Sequence, residues 1–384
     1  MNTKASVQAI LNQFLPAYKQ RHSLSFQQAR TCSQLTQCRT AALGAQYVTC
    51  DQCEFTQIRY HSCRNRHCPQ CQQRATQQWS DRQTQNLLPE HYYHLVFTLP
   101  HELNGWIKQN PALIYRLLFQ SAWQTIQQFG ADKKRLDGQM GMTAVLHTWG
   151  QNLSQHVHLH CLIPGGALSQ DKQHWHRAKS NYLFPVRALS RVFRGKMVSA
   201  LRQSNQACES LTATEVNQRL NRLMTKDWVV YAKSTLNKAH AVVHYLARYT
   251  YKAAISNARI MHVDKNIVRF RWKDYRDNQQ KMMTLTGDEF IRRYLLHVLP
   301  KGFMRIRHFG FLANRCRADK LACIRNRIAE SERHMESVQT TTKASDSQIV
   351  NRPGSQASCQ CPKCRQGVLL VRFEMRPKQK RRTR

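Results

Sequence analysis

The stretch "HVHLHC", residues 156–161, sets three histidines at alternate positions. Successive side chains on a strand point to opposite faces, so His156, His158 and His160 would share one face, with neighbours roughly 6–7 Å apart. Imidazoles at that spacing can converge on a small divalent cation. A polar strand face in contact with water gives the same pattern, so the rest of the chain has to decide between the two.

A second group of ligand-type residues lies nearer the amino terminus. The chain has 14 cysteines. Seven lie between residues 32 and 71, and Cys359, Cys361 and Cys364 lie near the other end. Cys50-x-x-Cys53 and Cys68-x-x-Cys71 are two knuckles with fourteen residues between them. A knuckle aims both its thiolates at one point, and two knuckles complete a tetrahedral zinc site. The intervening "EFTQIRY" alternates like the strand of a zinc ribbon. Cys38, Cys63, His61 and His67 remain, and they could form a second zinc site. Alternatively, Cys63 could replace a knuckle cysteine in the first. "CQCPKC" near the carboxyl terminus resembles another knuckle, with no partner pair after it. Arg64, Arg66 and Arg74 place positive charge around this block, as a surface meeting a phosphate backbone requires.

The chain as a whole is strongly basic. Its 384 residues carry 59 Lys plus Arg against 22 Asp plus Glu, a formal charge of +37. Such a chain calls for a polyanionic partner; nucleic acid leads, with an anionic membrane as the rival. No apolar run approaches the length of a membrane span, and the first residues lack a signal-peptide core, so a cytoplasmic location is expected.

The elements that must position these residues can be read coarsely. "HYYHLVFTLP" reads as a strand and "PALIYRLLFQSAWQTIQQFGA" as an amphipathic helix. "MTAVLHTWGQ" and "HVHLHCLIPGG" read as a hairpin joined by "NLSQ". A basic helix over 184–206, a strand at 228–234, a helix at 241–256 and strands at "IMHVD" and "IVRFRWKDY" follow. "TLTGDEFIRRYLLHVLP" reads as a helix capped by Thr286 and stopped by Pro300. Three regions are expected: a zinc-binding module at 1–88, a catalytic domain at 89–329, and a linker with a disordered basic tail at 330–384.

The helix expected at 241–256 carries its own constellation. Val242, Val243, Leu246, Ala247, Ala253 and Ala254 make its buried stripe. Tyr245 and Tyr249 stack on another face, roughly 130° away, and Lys252 joins them. A phenol is a poor nucleophile at neutral pH. It can attack phosphorus where a metal polarises the scissile phosphate. Lys252 could stabilise charge or help deprotonate a tyrosine. The histidines, the tyrosines and the DNA-seeking charge therefore fit one reaction.

Together "HVHLHCLIPGG", "HLVFTLP" and "HYLARYTYKAAISN" resemble the two-tyrosine HUH transposases of the rolling-circle insertion sequences, the family numbered ninety-one in insertion-sequence nomenclature. "CRTAALG", "SCRNRHCPQCQ", "VLHTWGQNL", "EFIRRYLLHVLPKGF" and "RIRHFGFLANRCR" extend the likeness across roughly residues 10 to 325. The resemblance implies an α+β fold: an antiparallel-sheet HUH nuclease domain with an amino-terminal zinc-binding module. It implies a catalytic Mg or Mn on His158 and His160, structural zinc on the cysteines, and Tyr245 and Tyr249 as nucleophiles that form a 5′-phosphotyrosine with single-stranded element ends. Val157 stands where the family often has Pro, and Tyr251 where a His is more usual. His156 and Gln151 lie close enough to be a third ligand, but the resemblance places that ligand elsewhere in the fold, near the tyrosine helix. Two other readings fit the residues: a replication or relaxase nickase, and a zinc-dependent DNA-binding protein without catalysis.

Overall fold

The computed structural model describes residues 5–72, 86–178, 182–204, 211–234, 253–338 and 360–377. Its centre is a five-stranded antiparallel sheet built from β3 (Tyr92–Thr98), β4 (Gly141–Trp149), β5 (Gln155–Pro164), β8 (Val230–Ser234) and β12 (Ile306–Gly310), in the order β12-β4-β5-β3-β8. β4 and β5 form the expected hairpin, with His147 paired to His158 and Val145 to His160. Leu153 takes a positive φ of 62° in the connection, where its N–H donates to Gly150 O at 3.1 Å. Two short strands, β6 (Gly166–Leu168) and β7 (Trp175–Arg177), form a separate ribbon after β5.

Period-two alternation gives the central sheet two unlike faces. Leu95 and Phe97, Met142, Ala144 and Leu146, and Val157, Leu159 and Cys161 point into the main core. Two helices cover that face: α3 (Pro111–Gly130) and α4 (Val186–Gln203). The Asn110 side chain caps α3, and Pro111 opens it where a missing N–H costs nothing. Leu113, Ile114, Leu117 and Leu118 follow helical spacing and supply its buried stripe. α5 (Ala213–Thr225) packs on α4 and starts with a Thr212–Glu215 capping box. The histidines occupy the opposite face of the sheet.

A second core lies beside the hairpin. α1 (Val7–Arg21) and α2 (Phe26–Thr36) pack with α6 (Gly287–Leu295) and with a sheet of β9 (Ile260–Val263), β10 (Ile267–Asp274) and β11 (Gln279–Thr286). Val7, Ile10, Leu11 and Leu15 of α1 meet Phe270, Phe290 and Ile291 there, together with Trp149 and Leu153 of the hairpin. The expected boundary at residue 88 therefore does not separate two cores, because the first forty residues share theirs with residues 253–298. Thr286 caps α6 as read from sequence, accepting from Glu289 N–H. β11 has no counterpart in the sequence reading. Its apolar residues are few, and its signature is a weak alternation between half-buried and exposed positions.

The carboxyl-terminal region also departs from expectation. α7 (Arg317–Val338) runs into the stretch read as linker. Running into the stretch read as a disordered tail, β13 (Leu369–Met375) adds to β1 (Ala45–Cys50), which pairs on its other edge with β2 (Thr56–Tyr60). A strand edge needs partners for its N–H and C=O groups, and β13 supplies them to β1 from more than 300 residues away. Among the described residues no helix is long and apolar enough to cross a membrane.

Candidate metal centres and the histidine face

The cysteines form two sites, grouped differently from the sequence reading. Cys38, Cys63, Cys68 and Cys71 make one cluster. Cys50, Cys53, Cys361 and Cys364 make the other. In the first, Sγ–Sγ separations are 3.6 Å for Cys38–Cys71 and 3.7 Å for Cys63–Cys71 and Cys38–Cys68. In the second they are 3.7 Å for Cys50–Cys364 and Cys53–Cys361. Four sulfurs bonded to zinc at about 2.3 Å stand about 3.7–3.8 Å apart at the corners of a tetrahedron. A disulfide would need about 2.05 Å. Both clusters thus have zinc dimensions.

The two knuckles of the amino-terminal block do not share an ion, because β1 and β2 hold Cys50 and Cys53 on the ribbon while Cys68 and Cys71 sit against the helical core. Cys38, at the end of α2, and Cys63 complete the inner site. His61 and His67 are not ligands there. His67 is buried, and its ring accepts from Leu299 N–H at 3.4 Å while its carbonyl accepts from the Tyr294 hydroxyl. Burial holds the pKa of its imidazole at about 3. The "CQCPKC" knuckle has its partner upstream.

Backbone amides support the thiolates. Gln52 N–H donates to Cys50 Sγ and Gly367 N–H to Cys364 Sγ, both at 3.3 Å. The Gly367 amide is the main reason the Cys364 thiol pKa falls to about 6. Hydrogen bonding from Cys63 is the main reason the Cys38 thiol pKa falls to about 7. Gly367 has to be glycine: a Cβ there would lie 2.4 Å from Cys50 Sγ and 2.5 Å from Asp51 Oδ1.

The arginines divide. Arg64 is exposed beside Cys63. Arg66 is not available to a phosphate, since its guanidinium donates to Pro300 O at 2.8 Å, to Leu299 O at 3.4 Å and to Phe303 O. It ties the inner zinc loop to the 299–303 turn. Arg74 lies outside the described residues.

On the sheet, His147, His158 and His160 bring their ligand nitrogens within 4.8 Å of one another. His158 and His160 come from β5 and His147 from the neighbouring β4. The ring centroids are 5.3 Å apart for His147–His158, 4.5 Å for His147–His160 and 4.8 Å for His158–His160. Outer partners fix the rings. His158 Nδ1 lies 2.9 Å from His156 O, which makes Nδ1 the donor and turns Nε2 inward. His160 Nδ1 lies 2.9 Å from His94 Nε2 on β3. His147 stacks on Trp149, with centroids 4.6 Å apart. Burial holds the His158 pKa at about 4, so the ring is neutral and its lone pair is free for a metal at neutral pH. Sequence reasoning missed His147. Its signal was available: it stands in the first strand of the hairpin, on the same face as the motif. His156 shares that face, its ring centroid 4.9 Å from that of His158 and 5.6 Å from that of His101, but it is not one of the three whose ligand nitrogens converge. Gln151 donates instead to the Tyr275 hydroxyl at 3.1 Å. Neither belongs to the cluster.

Tyr245, Tyr249, Tyr251 and Lys252 lie outside the described residues. The described residues on either side are Ser234, on edge strand β8, and Ala253. Ala254 and Ile255 pack in the core that contains Trp149, the residue stacked on His147.

An antiparallel sheet with a histidine cluster on one face, joined to cysteine zinc sites, defines an α+β HUH protein with a zinc-binding module. Comparison with known proteins gives the family. Residues 141–320 match the family described as "Putative transposase", and residues 10–99 match the "Transposase zinc-binding domain". The chain is 42% identical over 375 residues to "Putative transposase y4qJ" of Sinorhizobium fredii, covering 94% of this chain and 93% of that protein. It is 28% identical over 306 residues to "Transposase for insertion sequence element IS801" of Pseudomonas savastanoi pv. phaseolicola, covering 75% of this chain and 71% of that one. No solved structure matches it. The chain belongs to the two-tyrosine HUH transposases of the rolling-circle insertion sequences. It is a DNA transposase, an enzyme that cleaves DNA and transfers strands, with zinc as its structural metal.

Proposed function

We propose that this transposase nicks single-stranded DNA at its element's ends and carries the strand on a tyrosine, with His147, His158 and His160 holding a divalent ion beside the scissile phosphate. The observation that carries this reading is the convergence of three imidazole nitrogens within 4.8 Å on one sheet face. Metal–imidazole bonds are about 2.1 Å long, so small ring rotations bring the three nitrogens to one ion. The donor set is all imidazole, which suits Mn better than Mg, an ion that prefers oxygen. When bound, such an ion supplies Lewis-acid stabilisation of the phosphate's developing charge.

The chain's own residues do the rest. Tyr245 or Tyr249 attacks phosphorus through its phenol oxygen. The new bond is tyrosine O–P, and the bond that breaks is P–O3′. The DNA 3′-oxygen leaves as a hydroxyl, taking up a proton, while the phenol gives one up. Lys252 is the candidate to assist that loss. The product is a 5′-phosphotyrosine, and a 3′-hydroxyl attacking it reverses the chemistry and joins strands. Conserving the bond in this way removes any need for ATP. His94 and the His156 carbonyl act earlier, by holding the tautomers of His160 and His158 so that Nε2 faces inward in each.

A denaturing gel of the protein with single-stranded DNA from its element's ends tests this. A protein–DNA band should form with Mn and fail with His147→Ala, dropping at least about a hundredfold, the usual scale for losing a catalytic contact. Mass spectrometry should place the DNA on Tyr245 or Tyr249. An adduct that survives in the Tyr245→Phe/Tyr249→Phe protein overturns the assignment.

A further inference from the structure

The ribbon sheet β13-β1-β2 is two-faced. One face buries Val48, Cys50 and Leu369 around the outer zinc site with Cys361. The other face carries Tyr47 in the middle, paired across to Ile58 on β2 and to Phe373 on β13. Tyr47 and Phe373 stack with centroids 4.9 Å apart and rings 15° from parallel. Tyr60 and Leu370 extend the same face, by their pairing with Ala45 and Thr49. This face is open to solvent: Phe373 is 53% exposed, Ile58 47%, Tyr60 45% and Leu370 43%. Soluble proteins do not usually leave so many large apolar side chains together in water without a partner.

Basic residues border it. Arg372 is exposed and donates from Nε to Thr49 Oγ1 at 2.7 Å, which lays its guanidinium along this face. Arg376 follows β13 and is exposed too. In sequence Lys378, Lys380, Arg381, Arg382 and Arg384 come next. Of the nearby acids, Glu374 accepts from Gln46 at 2.9 Å and Asp51 from Val368 N–H at 2.7 Å.

We infer that this face is a binding platform for unpaired DNA bases, with Arg372 and Arg376 neutralising the phosphates alongside. Aromatic rings flanked by cations bind single strands by stacking, because an unpaired base offers a π-face that a duplex hides. A second copy of the chain fits less well, since joining two such faces brings the arginines of both copies together. The inference deepens the proposed single-strand nicking, and it assigns the strand's docking surface to a part of the molecule separate from the histidine face.

The test uses the full-length, zinc-loaded protein and a fluorescein-labelled oligothymidylate of about twenty nucleotides, long enough to cover a single-strand site, without Mg or Mn. This probe has no element end to cleave, so its binding is independent of the tyrosine chemistry. The Tyr60→Ala/Phe373→Ala protein should bind it at least about tenfold more weakly, as loss of base stacking requires. The Tyr60→Phe/Phe373→Tyr protein should bind like the parent, and the matching duplex should show little difference among the three. Zinc content and melting temperature confirm that the variants are folded. Photocrosslinking of the parent to a bromodeoxyuridine strand should label Tyr47, Tyr60 or Phe373, which needs no variant at all. Unchanged affinity with crosslinks elsewhere overturns the inference. So does a concentration-dependent dimer of the parent that the alanine variant abolishes, which would make the face a contact between copies.

Discussion

The cysteine clusters surround their centres with four sulfurs, while the histidine cluster brings three nitrogens to one side of a sheet. The first arrangement is coordinatively full and belongs to structure. The second, as the proposed ion site, would leave positions open to a phosphate or water. The two also differ in how they are assembled. Cys68 and Cys71 come from one turn, and the ring of cysteines closes only when distant segments meet. The histidine site is built within one hairpin and steadied by a neighbouring strand. A full site stabilises the chain that forms it, whereas an open site must be held rigid by groups that do not bind the metal.

This contrast is most vulnerable at the inner zinc site. Cys68 is 3% exposed and shares the core of α1, α2 and α6. Cys68→Ser should lower zinc from two ions per chain to one and leave little soluble protein, because structural zinc contributes on the order of 10 kcal/mol to such sites. Cys364→Ser, on the peripheral ribbon, should lose one zinc as well yet leave the five-stranded sheet folded. Elemental analysis with circular dichroism checks both. Equal loss of fold in the two proteins would mean the sites are not distinct in role.

A smaller effect is expected at the histidine face. His94→Phe removes the partner of His160 Nδ1 at 2.9 Å without removing a proposed ligand. Mn affinity, read by electron paramagnetic resonance, should fall about 10- to 100-fold, with zinc content unchanged. Unchanged Mn affinity would remove His94 from the site's support.

The smallest effect concerns pH and lies away from all three clusters. Burial holds the His308 pKa at about 4, and its Nδ1 lies 2.9 Å from Thr143 Oγ1. The unfolded chain takes up this proton near pH 6.5 and the folded chain only near 4, so stability is fully present above 6.5 and declines as pH falls toward 4. His308→Gln should reduce the loss between about pH 7 and pH 5 by on the order of 1 kcal/mol, measured by denaturant unfolding. An identical pH slope in both proteins would show that His308 is not among the groups that titrate on unfolding.

Local spacing carried much of this. The alternation of His158 and His160 on a strand, the turn geometry of each knuckle, the Thr286 cap and the helical stripe of α3 are all relations between residues a few positions apart. They are set by backbone periodicity, which a sequence displays directly. The +37 charge likewise needs no fold to predict an anionic partner. Relations across space were not legible in the same way. His147 became a neighbour of His158 through the register of a hairpin with an irregular connection. Arg66 looked like a phosphate contact by type, yet packing turned its guanidinium onto three carbonyls. Cys50 and Cys53 found Cys361 and Cys364, across more than 300 residues, because β13 completes an edge that β1 would otherwise leave open. The sequence by itself determined the cysteines, the His158–His160 pair and the polyanionic character of the partner. Only the tertiary structure decided which of them meet, because strand pairing and core packing depend on shape and burial over the whole chain, and no local pattern encodes that choice.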